Sequence, residues 1–149
     1  MKIIKQTFAF WIFVCLTSAL EAQTASSSKP LLFNKSAASF VATISELDKA
    51  FGVKEGSLIQ LNFANNFTFT GTVLSSVQRY GKLSSTIIKS PLLHNALLSV
   101  SKRINDDNSI TYVGRIINES YGDGYELKKD SNGTYTFNKI KTEDLIQDY

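Results

Sequence analysis

The sequence predicts a mainly β domain of the α+β class, built on a single antiparallel sheet that is strongly curled or forms a partly open barrel. From Gly56 onward, apolar residues recur at every second position, which is typical of strands with one buried face. Turn-forming clusters rich in Asn, Asp, Gly and Ser separate these stretches. One stretch with helical spacing precedes them. We therefore expect about six to seven strands with one N-terminal helix packed on the sheet.

The helix is expected from about residue 36 to residue 51. Apolar side chains recur there at spacings that fall on one face of a helix: Phe40, Val41, Ile44, Leu47 and Phe51. The side chain of Asn34 or Ser36 is expected to cap the start of the helix by accepting hydrogen bonds from the free backbone N–H groups there. Gly52 follows the stretch and suits the left-handed conformation that ends many helices.

The first hairpin is expected from Gly56 to Val73, with Ala64, Asn65 and Asn66 as its turn. Further strands are expected at residues 83–89, 96–104, 110–117, 124–129 and 134–139. A short C-terminal helix capped by Thr142 is expected to follow the last of them.

Two mid-strand glycines, Gly71 and Gly114, indicate a strong bend in the sheet. A glycine weakens a strand unless the site is a bulge, a bend or a close approach of another backbone. The two lie at matching positions when the hairpin that contains residue 71 is aligned with residues 96–117. An internal duplication and a chance likeness of alternating strands both explain this match, and we expect both glycines at comparable places in the sheet.

The first 22 residues have the pattern of a secretory signal peptide. Lys2 and Lys5 form a basic start, residues 8–16 are apolar, and small residues lead to an expected cleavage after Ala22. The alternative, an uncleaved signal anchor, is disfavoured because the uninterrupted apolar run is too short to span a bilayer. Residues 23–33 are expected to be a flexible lead-in and residues 34–149 a single domain, exported to the periplasm or the cell exterior.

Cleavage at this position changes the chemistry that remains. The chain has one Cys, one Trp and one Met, and all three lie in the leader, as Cys15, Trp11 and Met1. The mature chain would therefore lack disulfides, zinc–thiolate sites and Cys nucleophiles. Its 14 basic and 12 acidic residues nearly cancel, which disfavours nucleic acid as a partner. No later apolar run approaches the roughly 18 residues of a membrane span.

No catalytic residue, metal ligand or cofactor site is predicted. His94 is the only histidine, and no nucleophile or metal-ligand motif lies near it. The acidic runs at residues 105–108 and 130–133 lack the full calcium-loop spacing and are better explained as turns. A small hydrolase that uses two carboxylates is the remaining enzyme class, and the sequence does not favour it.

The candidate ligand-binding residues are Tyr121, Asp123 and Tyr125, with Tyr80 as a further part of the same surface. Two tyrosines beside an acidic turn offer aromatic faces and a carboxylate to a sugar or a peptide. The alternative is a tight turn whose tyrosines cover the edge of the core. We expect a non-enzymatic binding domain with a protein or glycan partner at the cell surface. An inhibitor or pro-segment-like module that covers a partner enzyme is the second possibility.

Overall fold

The computed structural model describes residues 29–146. The expected signal peptide and the first part of the lead-in lie outside the described residues. Within residues 29–146, the chain forms one curled antiparallel sheet of eight strands. No helix in this part of the chain is long and apolar enough to cross a membrane.

Seven strands form a continuous up-and-down meander, and one strand from the beginning of the domain joins its far end. The strands are β1 (Ser39–Ala42), β2 (Leu58–Asn62), β3 (Thr68–Arg79), β4 (Leu83–Ser90), β5 (Ala96–Ile104), β6 (Ile110–Ile117), β7 (Asp123–Lys129) and β8 (Tyr135–Lys141). Their order in the sheet is β1-β8-β7-β6-β5-β4-β3-β2. The helices are α1 (Ile44–Asp48) and the 3₁₀ turns Pro91–Leu93 and Thr142–Ile146. The mainly β fold with one curled antiparallel sheet is thus confirmed.

The long N-terminal helix is the main correction. Its first part is strand β1, in which buried Phe40 and Ala42 alternate with exposed Ser39 and Val41. This two-residue period places Phe40 opposite Phe137 in β8. Pairing with β8 satisfies backbone groups and buries Phe40 and Ala42, while Val41 and Ile44 of the expected helical face become exposed, so the helical spacing of the sequence is overridden. The sheet consequently has eight strands instead of the expected six to seven.

The remaining helix, α1, has only five residues and packs with Leu47 buried. Thr43 caps it, since its hydroxyl accepts a hydrogen bond from the Glu46 N–H, so the caps expected at Asn34 or Ser36 were wrong. Gly52 has φ +77°, the left-handed conformation expected for it, although it lies beyond the end of this short helix.

Curling brings the two edges of the sheet together. The Ala64 N–H, just after β2, donates to the Val41 carbonyl in β1 at 3.0 Å. The Asn65 side-chain amide donates to the Ser39 carbonyl at 3.2 Å. A register shift between Val73 and Ser75 bends β3, as a bulge does. The result is a half-barrel with its core on the inner face.

The core is built from Phe, Tyr and aliphatic side chains. An aromatic cluster forms its centre and contains Phe33, Phe40, Phe63, Phe67, Tyr125 and Phe137. Phe40 and Phe67 stack with ring centroids 4.2 Å apart, and Phe40 meets Tyr125 edge-on at 4.8 Å. Such pairs contribute about 0.5–1.5 kcal/mol beyond the area they bury.

Both mid-strand glycines lie where another backbone comes close. A Cβ at Gly71 would overlap the Lys89 carbonyl oxygen in β4, and one at Gly114 would lie 2.9 Å from the Ser99 carbonyl oxygen in β5. Both are inside strands, as expected, but the close approach is to the following strand at Gly71 and to the preceding strand at Gly114. The internal duplication stays a hypothesis.

Candidate functional site

The four residues predicted from the sequence do not form one surface. Tyr80 lies in the β3–β4 turn, at the same end of the sheet as the β5–β6 turn, where Lys82 pairs with Asp106 at 2.9 Å. Tyr121 lies at the opposite end, where its ring centroid is 5.8 Å from that of His94 in the β4–β5 connection. Successive turns of a meander alternate between the two ends, and this separates Tyr80 from the others.

Asp123 is buried and holds the chain itself. Its carboxylate oxygens accept hydrogen bonds from the backbone N–H groups of Leu32 at 2.6 Å and Phe33 at 2.9 Å. Only 3% of the residue is exposed. In this structure its acceptor atoms face the segment before β1 and not the solvent.

Tyr125 is a core residue. It is fully buried, and its ring packs edge-on against Phe33 with centroids 4.9 Å apart. Its hydroxyl donates to the Ala37 carbonyl at 2.6 Å. Burial raises the pKa of this phenol above its usual value. Tyr125 thus matches the alternative considered for this segment, a turn whose tyrosines cover the core.

Tyr121 is half-buried in the β6–β7 turn. Its backbone N–H donates to the Asn118 carbonyl at 3.0 Å, and its own carbonyl accepts from the Thr142 hydroxyl at 3.0 Å. Its ring is adjacent to that of His94. Of the three residues predicted in this segment, Tyr121 alone retains substantial exposure, so a contact role for the segment depends on it.

Tyr80 has the most distinctive environment of the four. It is 97% exposed at the tip of the β3–β4 hairpin. Tyr80 has φ +52° and Gly81 has φ +66°, and the Lys82 N–H closes the turn on the Arg79 carbonyl at 3.2 Å. Positive φ at both central positions is the hairpin geometry that Asn-Gly or Asp-Gly adopts most readily. The left-handed conformation costs a residue with a Cβ roughly 1–2 kcal/mol.

A trough lies next to Tyr80 on the outer face of the sheet. It measures about 340 Å³ and is lined by Ser75, Val77, Arg79, Leu83, Ser85 and Ile87. We call this set the serine trough. All six residues point away from the core, three from β3 and three from β4. Small hydroxyl side chains lie between larger ones, which creates the depression.

A second depression continues the outer face across β5 and β6. It measures about 330 Å³, and Ser99, Ser101, Val113 and Arg115 are among its lining residues. The hydroxyls of Ser85 and Ser101 are 2.7 Å apart and join the two depressions. Sequence reasoning missed this surface because it ended the first hairpin at Val73, six residues before β3 ends. Residues 75–79 carry polar side chains on both faces of the strand and a single apolar residue, Val77, so no alternation of apolar and polar residues marked this part of β3 in the sequence.

Two arginines flank the serine trough. The strand register places Arg79, Leu83 and Arg103 in one row across β3, β4 and β5. Both arginines are exposed, and neither forms an ion pair with another residue of the described chain. Arg115 differs, because its guanidinium contacts Glu126 at 3.0 Å.

Several carboxylates are engaged by neighbouring side chains. Asp48 accepts hydrogen bonds from Lys102 at 2.7 Å and from the Tyr112 hydroxyl at 2.8 Å. Partial burial tends to raise the Asp48 pKa, but these two hydrogen bonds outweigh it and lower the pKa below its ordinary value. Burial and Asp48 together raise the pKa of Tyr112. Within residues 29–146, no group of three His, Cys, Asp or Glu side chains could hold a metal ion.

A third cleft, of about 330 Å³, lies where the loop after α1 meets the end of β3. Glu55 is the one carboxylate among its lining residues, and this side chain accepts the Ser76 N–H at 3.1 Å. A glycoside hydrolase needs two carboxylates across its cleft. The lining of this cleft therefore does not supply that chemistry.

Comparisons of this chain with protein-family models, with curated proteins and with solved structures give no match. The Tyr80 hairpin, the serine trough and the charges beside them are the features of the described chain that point to a function.

Proposed function

We propose that this chain is an exported, non-enzymatic binding domain that contacts its partner at the cell envelope or exterior through the β3–β4 hairpin. The observation that carries the proposal is Tyr80, a nearly fully exposed aromatic ring at a hairpin tip with φ +52°. Tyrosine is among the residues that dominate binding energy at protein interfaces.

Folding alone gives no reason for tyrosine at this position. Its ring is exposed and therefore adds little burial to the core, and its backbone conformation is disfavoured for a residue with a Cβ. Backbone strain of this kind is found where the local structure serves a function. An aromatic contact residue presented on a turn fits both properties, because its ring is buried only when a partner is bound.

Export is the second part of the proposal, and the N-terminal sequence supports it. A basic start, a short apolar run and small residues up to Ala22 have the order of a secretory signal peptide. The domain that follows contains no cysteine, so it would fold in an oxidising compartment without disulfide exchange.

A module that covers a partner enzyme is a second candidate, and the same observation favours it. A hairpin tip with a protruding aromatic side chain has the shape needed to enter a concave cleft. The two candidates differ in the partner. A surface-binding domain would contact a component of the cell envelope or exterior, whereas a covering module would occupy the active site of an enzyme.

The test is Tyr80→Asn in the purified protein. Asparagine tolerates the left-handed conformation, so the free energy of unfolding should stay unchanged or rise by up to about 1 kcal/mol. Retention of the partner from a surface fraction of the source cells should fall to background, because the ring that buries against the partner is gone. Quantified retention and urea unfolding measure the two effects.

Leu92→Asn is the matched control, because Leu92 is also an exposed apolar residue, at 77%, but lies at the opposite end of the sheet. It should retain the same components as the unmodified protein. Full retention by Tyr80→Asn would remove the hairpin tip from the proposal. If the retained component is one protease or other enzyme and its activity is suppressed, the covering-module candidate is favoured.

A further inference from the structure

We propose that the serine trough receives an acidic, apolar segment of a protein partner, with carboxylates placed between Arg79 and Arg103 and apolar side chains seated between Val77 and Ile87. The proposal rests on the proposed function, since it takes the β3–β4 hairpin as the contact element. It adds the chemical class of the partner.

The floor of the trough is small and polar. Ser75 and Ser85 project from adjacent strands of the outer face, and Ser99 and Ser101 continue that floor on β5. A serine side chain is short and its hydroxyl both donates and accepts hydrogen bonds. Another chain can therefore approach the sheet closely, and the serine hydroxyls can form hydrogen bonds with its polar groups.

The borders of the trough are apolar in a region that faces solvent. Val77 is 41% exposed and Ile87 is 37% exposed, while Val113 beyond the second depression is 58% exposed. Single exposed aliphatic side chains are common, but Val77 and Ile87 lie on adjacent strands of the same face two residues apart in register, so one partner side chain can contact both. Burying them against a partner yields about 25 cal/mol per Å² of apolar area.

The positive charge of this surface favours a negatively charged partner. Arg79 and Arg103 are separated by one strand, so their Cα atoms lie about 10 Å apart, since neighbouring strands are about 4.8 Å apart. Leu83 lies between them on the same face. Two exposed guanidinium groups that form no ion pair within the described chain complement carboxylates, which arginine binds in a bidentate manner.

The same features favour a protein over a nucleic acid or a charged glycan. Polyanion sites use extended rows of basic residues, whereas Arg115 in the adjoining depression is neutralised by Glu126. The six residues that line the trough include no aromatic ring to stack on a sugar, and Tyr80 beside it supplies only a single ring. Localised positive charge beside aliphatic side chains matches a polypeptide that presents Asp or Glu next to apolar residues.

The experiment uses the purified protein and three short synthetic peptides that alternate a charged or polar residue with an apolar one. The acidic peptide carries Glu, and its two counterparts carry Lys or Gln at the same positions. NMR titration should show that the acidic peptide binds most tightly and shifts amide signals of β3, β4 and β5 near the trough. The Arg79→Gln/Arg103→Gln double variant should bind it roughly ten times more weakly, because losses of about threefold per arginine multiply. Added salt should reduce the difference between the peptides.

The matched control is Lys128→Gln/Lys141→Gln, which removes the same charge from β7 and β8. It should leave the affinity for the acidic peptide within about twofold, because long-range effects of exposed charges are screened. Equal binding of the Glu and Lys peptides, or equal losses in both double variants, would overturn the proposal. Tighter binding of polygalacturonate than of the acidic peptide, at the same amides, would overturn the protein as partner.

Failure here is distinguishable from failure of the proposed function. If the acidic peptide does not bind but Tyr80→Asn still abolishes partner retention, the hairpin is a binding element and the trough is not its acidic-peptide site. If Tyr80→Asn retains the partner, the binding function of the hairpin is itself disproved.

Discussion

Asp123 and Lys139 hold the segment before β1 by complementary hydrogen bonds. The Asp123 carboxylate accepts two backbone N–H groups, from Leu32 and Phe33. The Lys139 ammonium group donates to the carbonyls of Phe33 at 2.7 Å and Ser36 at 2.9 Å. Phe33 is thereby fixed in the aromatic cluster, although its segment forms no strand. Charged hydrogen bonds replace the sheet pairing that this segment lacks.

Asp123→Ala should lower the free energy of unfolding by about 2–5 kcal/mol, because two N–H groups lose their acceptor in a buried site. Asp123→Asn should cost less, since its single side-chain oxygen still accepts one of them. Urea unfolding measures both. Asp106→Ala is the control, because that side chain is 99% exposed and its ion pair with Lys82 should contribute little. Equal effects of Asp123→Ala and Asp106→Ala would contradict the role given to Asp123.

At the scale of secondary-structure elements, two carboxylates of α1 attach it to the sheet, and the first is Glu46, which accepts the Asn62 N–H of β2 at 3.1 Å. A five-residue helix has too few internal hydrogen bonds to be stable alone. Asp48 at its end accepts from Lys102 in β5 and Tyr112 in β6, which connects the helix to the inner side of two strands. Leu47 adds apolar burial beside this contact.

The lowered Asp48 pKa predicts how stability depends on pH. Because the folded-state pKa lies below the unfolded-state value, ionised Asp48 stabilises the fold above about pH 4. This contribution is lost as the pH falls through the lowered folded-state pKa. Asp48→Asn should reduce the thermal unfolding midpoint at pH 7 and make its decrease between pH 5 and roughly pH 2 shallower.

Glu143→Gln is the control for this pH series, since that side chain is 72% exposed and 3.5 Å from Lys141. It should leave the acid dependence nearly unchanged. The pKa values of Glu46 and Glu126 are also lowered, because the opposing effect of burial is outweighed by hydrogen bonds from basic neighbours. The Asp48 variant should therefore keep part of the decrease in the thermal unfolding midpoint at acid pH. Identical pH profiles for the Asp48 variant and the unmodified protein would contradict the link.

At the scale of the whole molecule, closure of the sheet separates an aromatic core from a serine-rich outer face. The hydrogen bonds from Ala64 and Asn65 to β1 cover the edge that β1 would otherwise expose. Covered edges protect a β protein from pairing with other chains. A contact surface on the sheet face and hairpin tip is therefore compatible with a monomeric fold.

Export of the chain is the prediction at this scale. Expression with a C-terminal tag in a secretion-competent host should yield exported protein whose first residue is Gln23, because Ala22 ends the small-residue segment. Mass spectrometry of the purified product measures this terminus. Replacing residues 9–14 with polar residues should keep the protein inside the cell with Met1 or Lys2 as its first residue. Export of that variant would show that the apolar run is not the signal.

The sequence by itself determined the strands of the meander except the end of β3 beyond Val73, because the alternation of apolar and polar residues and the intervening turns are local properties. Ala96–Ile104 and Ile110–Ile117 were predicted with their observed bounds, and the Asn65 and Asn66 turn has the positive φ values that such a hairpin requires. The sequence also nominated Tyr80, although it grouped that residue with three others that lie elsewhere.

Tertiary structure alone decided which of two competing periodicities Phe40 follows. That residue becomes part of a strand because Phe137, far away in the chain, offers it a partner in β8. The buried role of Asp123 and the outer position of Arg79 beside Arg103 likewise depend on contacts between distant segments. Local patterns specify elements, whereas burial and pairing energies between elements decide which side chains the solvent and a partner can reach.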